Sequence, residues 1–119
     1  NKDKKINIET KDINGHILFI GKNDKQNDYI LSKLSTSNDF WFHIKDAPSA
    51  HIIVKNSNKL ENLPNDVVFK VAKLLKNISF GEKASKVSII YTFRKYVNKG
   101  TSKGLAFVTY SNEKEIVVD

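Results

Sequence analysis

At 119 residues the chain has room for one core built from a sheet and one or two helices, and not for two domains. Its 20 Lys and Arg against 13 Asp and Glu give a net charge of +7, which suggests a polyanionic partner. It has no Cys, which excludes disulfides, thiolate metal sites and cysteine nucleophiles, and points to the cytoplasm.

Asn1 to Lys5 are charged and lead into no long apolar run, so neither a signal peptide nor a membrane segment is expected there. The opening without Met is consistent with a piece of a larger protein. His16-Ile-Leu-Phe-Ile20, bracketed by Gly15 and Gly21, reads as a buried strand, entered by an Asn14-Gly15 turn and paired with residues 6–10. The polar run Lys22 to Asp28, then Tyr29, Ile30, Leu31 and Leu34, predicts a short amphipathic helix capped by Asn23 or Asp24.

From Asp39 to Asp46 the pattern has period two, with Phe40, Phe42 and Ile44 on one face and Trp41, His43 and Lys45 on the other. After the Ala47-Pro48-Ser49-Ala50 turn, His51 to Lys55 forms a second strand, and pairing of the two would bring His43 near His51. Pro64 opens a helix running to about Ile78, with Val67, Val68, Val71, Ala72, Leu74, Leu75 and Ile78 as its apolar stripe and Lys70, Lys73 and Lys76 off it. Strands are predicted at 86–93, 105–110 and 115–118. The order argues for a single α+β domain over residues 1–119, a largely antiparallel sheet packed by two helices on one face.

No convincing catalytic constellation stands out among the three histidines, and no cofactor is implied. A metal site from His43, His51 and Asp39 or Asp46 matches no known ligand spacing. Lys83, Lys86, Arg94, Lys95, Lys99 and Lys103 form a basic stretch without an acid, interleaved with Tyr91 and Tyr96, as suits phosphate contact and base stacking. Trp41 is either a further stacking platform or cover for a helix on the second face of the sheet.

The runs Gly21-Lys22-Asn23-Asp24-Lys25-Gln26-Asn27-Asp28 and Asp39-Phe-Trp41-Phe-His43-Ile-Lys45-Asp-Ala-Pro48, the latter followed by His51-Ile-Ile-Val54, resemble the NFACT-R domain. Val71-Ala72, Val87 to Thr92 and Arg94 to Lys99 extend the resemblance over roughly residues 14–118. It departs from the family at Ser49, where the family usually has Gly, and in a helix poorer in Ala. The resemblance implies a module that binds tRNA, large-subunit ribosomal RNA or both, with the large ribosomal subunit as a possible partner, as in ribosome quality control. Residue reading and resemblance together nominate Lys22, Asn23, Gln26, Asn27, Trp41, His43, Lys45, His51, Arg94, Lys95, Lys99 and Lys103 for RNA contact. The competing expectations are an RNA-modifying enzyme or enzyme subunit using His43, His51 and Asp39, and a protein-interaction domain.

Overall fold

The computed structural model describes residues 6–100 and 108–119. Its α+β architecture is a six-stranded antiparallel sheet with helical cover on both faces, beside a separate two-stranded ribbon. In chain order the elements are β1 (Glu9–Ile13), β2 (His16–Gly21), α1 (Asp24–Tyr29), which continues as a π-helical turn at Ile30–Leu34, β3 (Phe40–Ile44), β4 (His51–Val54) and α2 (Asn65–Phe80). β5 (Val87–Phe93), a 3₁₀ turn at Arg94–Tyr96, β6 (Val97–Lys99), β7 (Val108–Tyr110) and β8 (Lys114–Val118) follow. The main sheet runs β1-β2-β4-β3-β5-β8, and β6 pairs with β7 in the ribbon.

The Asn14-Gly15 turn sets the first register. Both residues have positive φ, 52° and 87°, the conformation a two-residue hairpin requires. Ile13 is thereby placed opposite His16, so the strand pairing with β2 is 9–13 and not 6–10. That strand is polar and largely exposed, as an edge position allows, and so lacks the apolar alternation of a half-buried strand.

On one face, α2 lays Val67, Val71, Ala72 and Leu75 over Leu18, Ile20, Phe42, Ile52 and Val54. Each such Val, Leu, Ile or Phe side chain, fully buried, contributes about 1.5–3 kcal/mol. On the other face, Ile30 and Leu31 cover Trp41, Ile53 and Ile90, and Val97, Val108 and Tyr110 of the ribbon complete the cover. The two helices therefore sit on opposite faces, because the β3 alternation exposes a large apolar ring on both sides. The ribbon takes β7 out of the main sheet, to which the 105–110 strand was expected to belong; residues 105–107 of that expected strand lie outside the described residues.

Lys76, expected off the helix stripe, is fully buried, and its Nζ donates to the carbonyls of Glu82 at 2.8 Å and Ala84 at 3.0 Å. A buried ammonium is stable there because two otherwise unpaired loop oxygens accept from it. Among the described residues no helix is long and apolar enough to cross a membrane.

Candidate nucleic-acid interface

The two sequence motifs meet at one end of the sheet, where Gly21 lies opposite His51 in the β2–β4 register. Helix α1 begins there on a reciprocal cap. The Asn23 side chain accepts from Gln26 N at 2.9 Å, and Gln26 Oε1 accepts from Lys22 N at 2.9 Å. Gln26 Nε2 also donates to the Asn7 carbonyl at 3.1 Å, which ties the N-terminal segment to the helix. Gly21 is required by packing: a Cβ there would lie 2.1 Å from Asn27 Oδ1. Asn27 is buried, and its Oδ1 has no hydrogen-bond partner.

Lys22, Asn23, Asp24 and Asn27 line a cleft of about 380 Å³ whose far wall is Pro48, Ser49 and Ala50, with Ile78 and Ser79 from the end of α2. The 48–50 turn is held from within, since Ser49 Oγ accepts from Ile44 N at 3.2 Å and donates to the Ala50 carbonyl at 2.9 Å. Ser49 has no positive φ, so its replacement of the family's usual Gly brings no backbone strain. Lys22 Nζ pairs with Glu9 at 2.7 Å on the surface, with both side chains about half exposed.

Next to the cleft, β3 and β4 bring His43 and His51 together, with ring centroids 4.7 Å apart in an edge-on arrangement. Trp41 is fully buried and stacks on His43, and its Nε1–H donates to His51 Nδ1 at 3.1 Å. The indole is thus cover for the second face of the sheet, with no surface open for a base. The bond from Trp41 requires an unprotonated Nδ1 on His51, and burial, reinforced by His43, lowers the His51 pKa to about 3. Burial also lowers the His43 pKa, against an opposing contact of Nδ1 with the Ile44 carbonyl at 2.6 Å. Asp39 is not part of this cluster. Its buried carboxylate accepts from Lys55 Nζ at 2.6 Å and from the backbone N–H groups of Thr36 and Asn56, both at 2.9 Å. Among the described residues no three His, Asp or Glu side chains are grouped to hold a metal ion.

The basic stretch divides by environment. The π-helical bond from Ser35 N to the Ile30 carbonyl leaves the Leu31 carbonyl outside the regular helical ladder, and Arg94 Nη2 donates to that oxygen at 3.1 Å. Arg94 also bonds Ser35 Oγ at 2.9 Å and the Val97 carbonyl at 2.7 Å, and burial pushes its pKa down. It is a clamp between helix and ribbon, with its guanidinium engaged by protein oxygens. Lys99 pairs with Asp28 and Ser32, joining the ribbon to the same helix. Lys95 is exposed, its ammonium 5.3 Å from the Phe93 ring centroid, at the end of β5 remote from the cleft. Lys45 is exposed and pairs with Glu115 at 3.0 Å. Lys103 lies outside the described residues.

A family model, the NFACT protein RNA binding domain, matches residues 7–109. The chain belongs to that family. The NFACT-R domain is 28% identical over 104 residues to the Rqc2 homolog RqcH of Bacillus subtilis, covering 87% of this chain and 18% of that protein. It is 24% identical over 106 residues to coiled-coil domain-containing protein 25 of Danio rerio, 87% of this chain and 51% of the relative. The solved C-terminal part of the fibronectin/fibrinogen-binding protein from Streptococcus suis superposes with a TM-score of 0.85 at 26% identity, covering 99% of this chain and 48% of that one. The NFACT-R domain therefore spans less than a fifth of one curated relative and about half of another.

Within the family motifs, Gly21, Gln26, Asp39 and Trp41 have internal structural partners, Asn23 both caps α1 and lines the cleft, and Lys22, Asn27 and the 48–50 turn face the cleft. Two participants are absent from the nominated set. Ser49 closes the turn, and Tyr110, half-buried with its ring centroid 5.4 Å from that of Trp41, packs on the indole. The alternation of β7 hints at Tyr110, but its approach to Trp41 is tertiary.

Proposed function

We propose that this domain is a non-catalytic RNA-binding module that contacts tRNA, large-subunit ribosomal RNA or both, and works in the cytoplasm as part of ribosome-associated quality control or RNA processing. The observation that carries this reading is the match to the NFACT RNA-binding family over residues 7–109. The convergence of Lys22, Asn27 and the 48–50 turn on one cleft supports it, since a concave polar surface with an adjacent cation suits a sugar-phosphate backbone. The engagement of Asp39 by Lys55 and two backbone N–H groups, away from the imidazoles, favours binding over acid–base chemistry.

The test is binding of the purified domain to total tRNA and to large ribosomal subunits across a salt series. Affinity that falls log-linearly with salt is expected, because each neutralised phosphate releases counterions. Absence of binding at low salt would overturn the proposal.

A further inference from the structure

At the opposite end of the sheet, on the α2 face, β3 and β5 carry two cross-strand aromatic pairs. Phe40 stacks on Phe93 with centroids 4.8 Å apart and planes at 27°, and Phe42 on Tyr91 at 4.9 Å and 8°. Helix α2 starts only at Asn65, so it covers Phe42 but leaves Tyr91 and Phe93 half-buried at its N-terminal end. They form the wall of a pocket of about 160 Å³ with Glu61, Asn62, Asn112 and Lys114 at its rim. Lys114 Nζ donates to Asn62 Oδ1 at 2.6 Å, which holds the amide and leaves its NH₂ available as a donor.

The pocket's size and chemistry restrict its ligand. It is smaller than the roughly 300–1,000 Å³ of sites for drug-sized ligands and cofactors, and fits one planar ring better than a whole dinucleotide. Its aromatic wall suits stacking, and its rim combines an acceptor-only carboxylate with amides that donate and accept. Lys95, 5.3 Å from the Phe93 centroid and 5.4 Å from that of Tyr96, sets a cation beside it, where a phosphate attached to a bound base could pair.

We propose that this pocket receives a single unstacked nucleobase of a bound RNA strand, and that Glu61 favours bases with an exocyclic amine over uracil. The inference rests on the RNA-binding reading above. It adds a second contact region, at the end of the sheet remote from the Lys22–Ser49 cleft, and gives the exposed Lys95 a role there.

The test compares short oligoadenylate, short oligouridylate and AMP alone as ligands of the intact domain at fixed salt. Wild type is expected to prefer oligoadenylate by about tenfold, the scale of one good base contact. Glu61→Gln should remove most of that preference without changing the salt dependence. Tyr91→Leu should weaken both oligonucleotides by about tenfold. Because Tyr91 packs on Phe42, thermal melting accompanies that variant, while the exposed positions Glu61 and Asn112 (Asn112→Gly, which keeps the positive φ of 59° at that turn) test the pocket without touching the core. Equal, steeply salt-dependent binding of both oligonucleotides by wild type would overturn the base pocket and leave the RNA reading standing. Binding of AMP, lost in Glu61→Gln, with no binding of RNA would make this a free-nucleotide site and overturn both. Binding of none of the three probes would overturn the base pocket, while the RNA reading stands or falls on the tRNA and large-subunit titration.

Discussion

The two faces of the sheet are held in different ways. Beneath α2 the sheet presents Leu18, Ile20, Phe42, Ile52 and Val54, a nearly all-hydrocarbon layer that needs only volume and pattern to pack. Beneath α1 the core is smaller, and its largest member, Trp41, carries a buried donor that must be satisfied, as His51 does. Arg94 and its oxygens add a second polar arrangement on that side. The family motifs fall mostly on the polar face, which teaches that a signature sequence can be dense in residues that build a site without touching its ligand.

The sharpest way to break this comparison is Trp41→Ala. Truncating a fully buried indole costs about 3–5 kcal/mol and leaves His51 Nδ1 without its donor, so the urea midpoint should collapse. A fully folded variant with weakened RNA binding would return Trp41 to the interface. Asp39→Ala should cost somewhat less, about 3 kcal/mol, because it strands Lys55 Nζ and the Thr36 and Asn56 N–H groups. Its effect on RNA affinity, measured where the variant is still folded, should be small.

The polar face should also be the pH-sensitive one. The folded-state pKa of His51, near 3, lies below its ordinary 6.5, so the unfolded chain binds the proton first as pH falls. Stability is therefore full above about 6.5 and declines below it, by up to about 1.4 kcal/mol per pH unit for one such group. Urea titrations from about pH 7 to about pH 5 should show this slope in wild type and a shallower one in His51→Gln, with lowered stability of that variant at neutral pH. An unchanged slope would mean that His51 is not held neutral. The smallest expected effect on the fold belongs to the cleft rim: Lys22→Gln should change stability by no more than about 0.5 kcal/mol and reduce the salt slope of RNA binding by about one. No change in that slope would remove Lys22 from the interface.

Much of the fold was legible because local signals were strong. Asn14-Gly15 announced a hairpin, the Phe40/Trp41 alternation a strand with Phe40, Phe42 and Ile44 on a core face, and Pro64 with the Val67–Leu75 stripe a helix. The proximity of His43 and His51 followed from the hairpin they flank. The functional residues were less legible. Arg94 looks like any solvent-facing cation in a basic run, until the offset ladder at Ile30–Leu34 and the start of the ribbon at Val97 offer it carbonyls. Lys76 looks solvent-facing until the 82–84 turn closes over it.

By itself the sequence determined the α+β class, the main strands and helices, the absence of cysteine chemistry and the family motifs, since these depend on short-range pattern and on residue identity. Only the tertiary structure decided that the helices take opposite faces, that β6 and β7 leave the main sheet, and that Trp41, Asp39 and Arg94 are spent on the fold while Lys22, Asn27 and Ser49 border the cleft. Burial and hydrogen-bond satisfaction are properties of contacts between residues distant along the chain, and no local pattern specifies which partner a polar group will find.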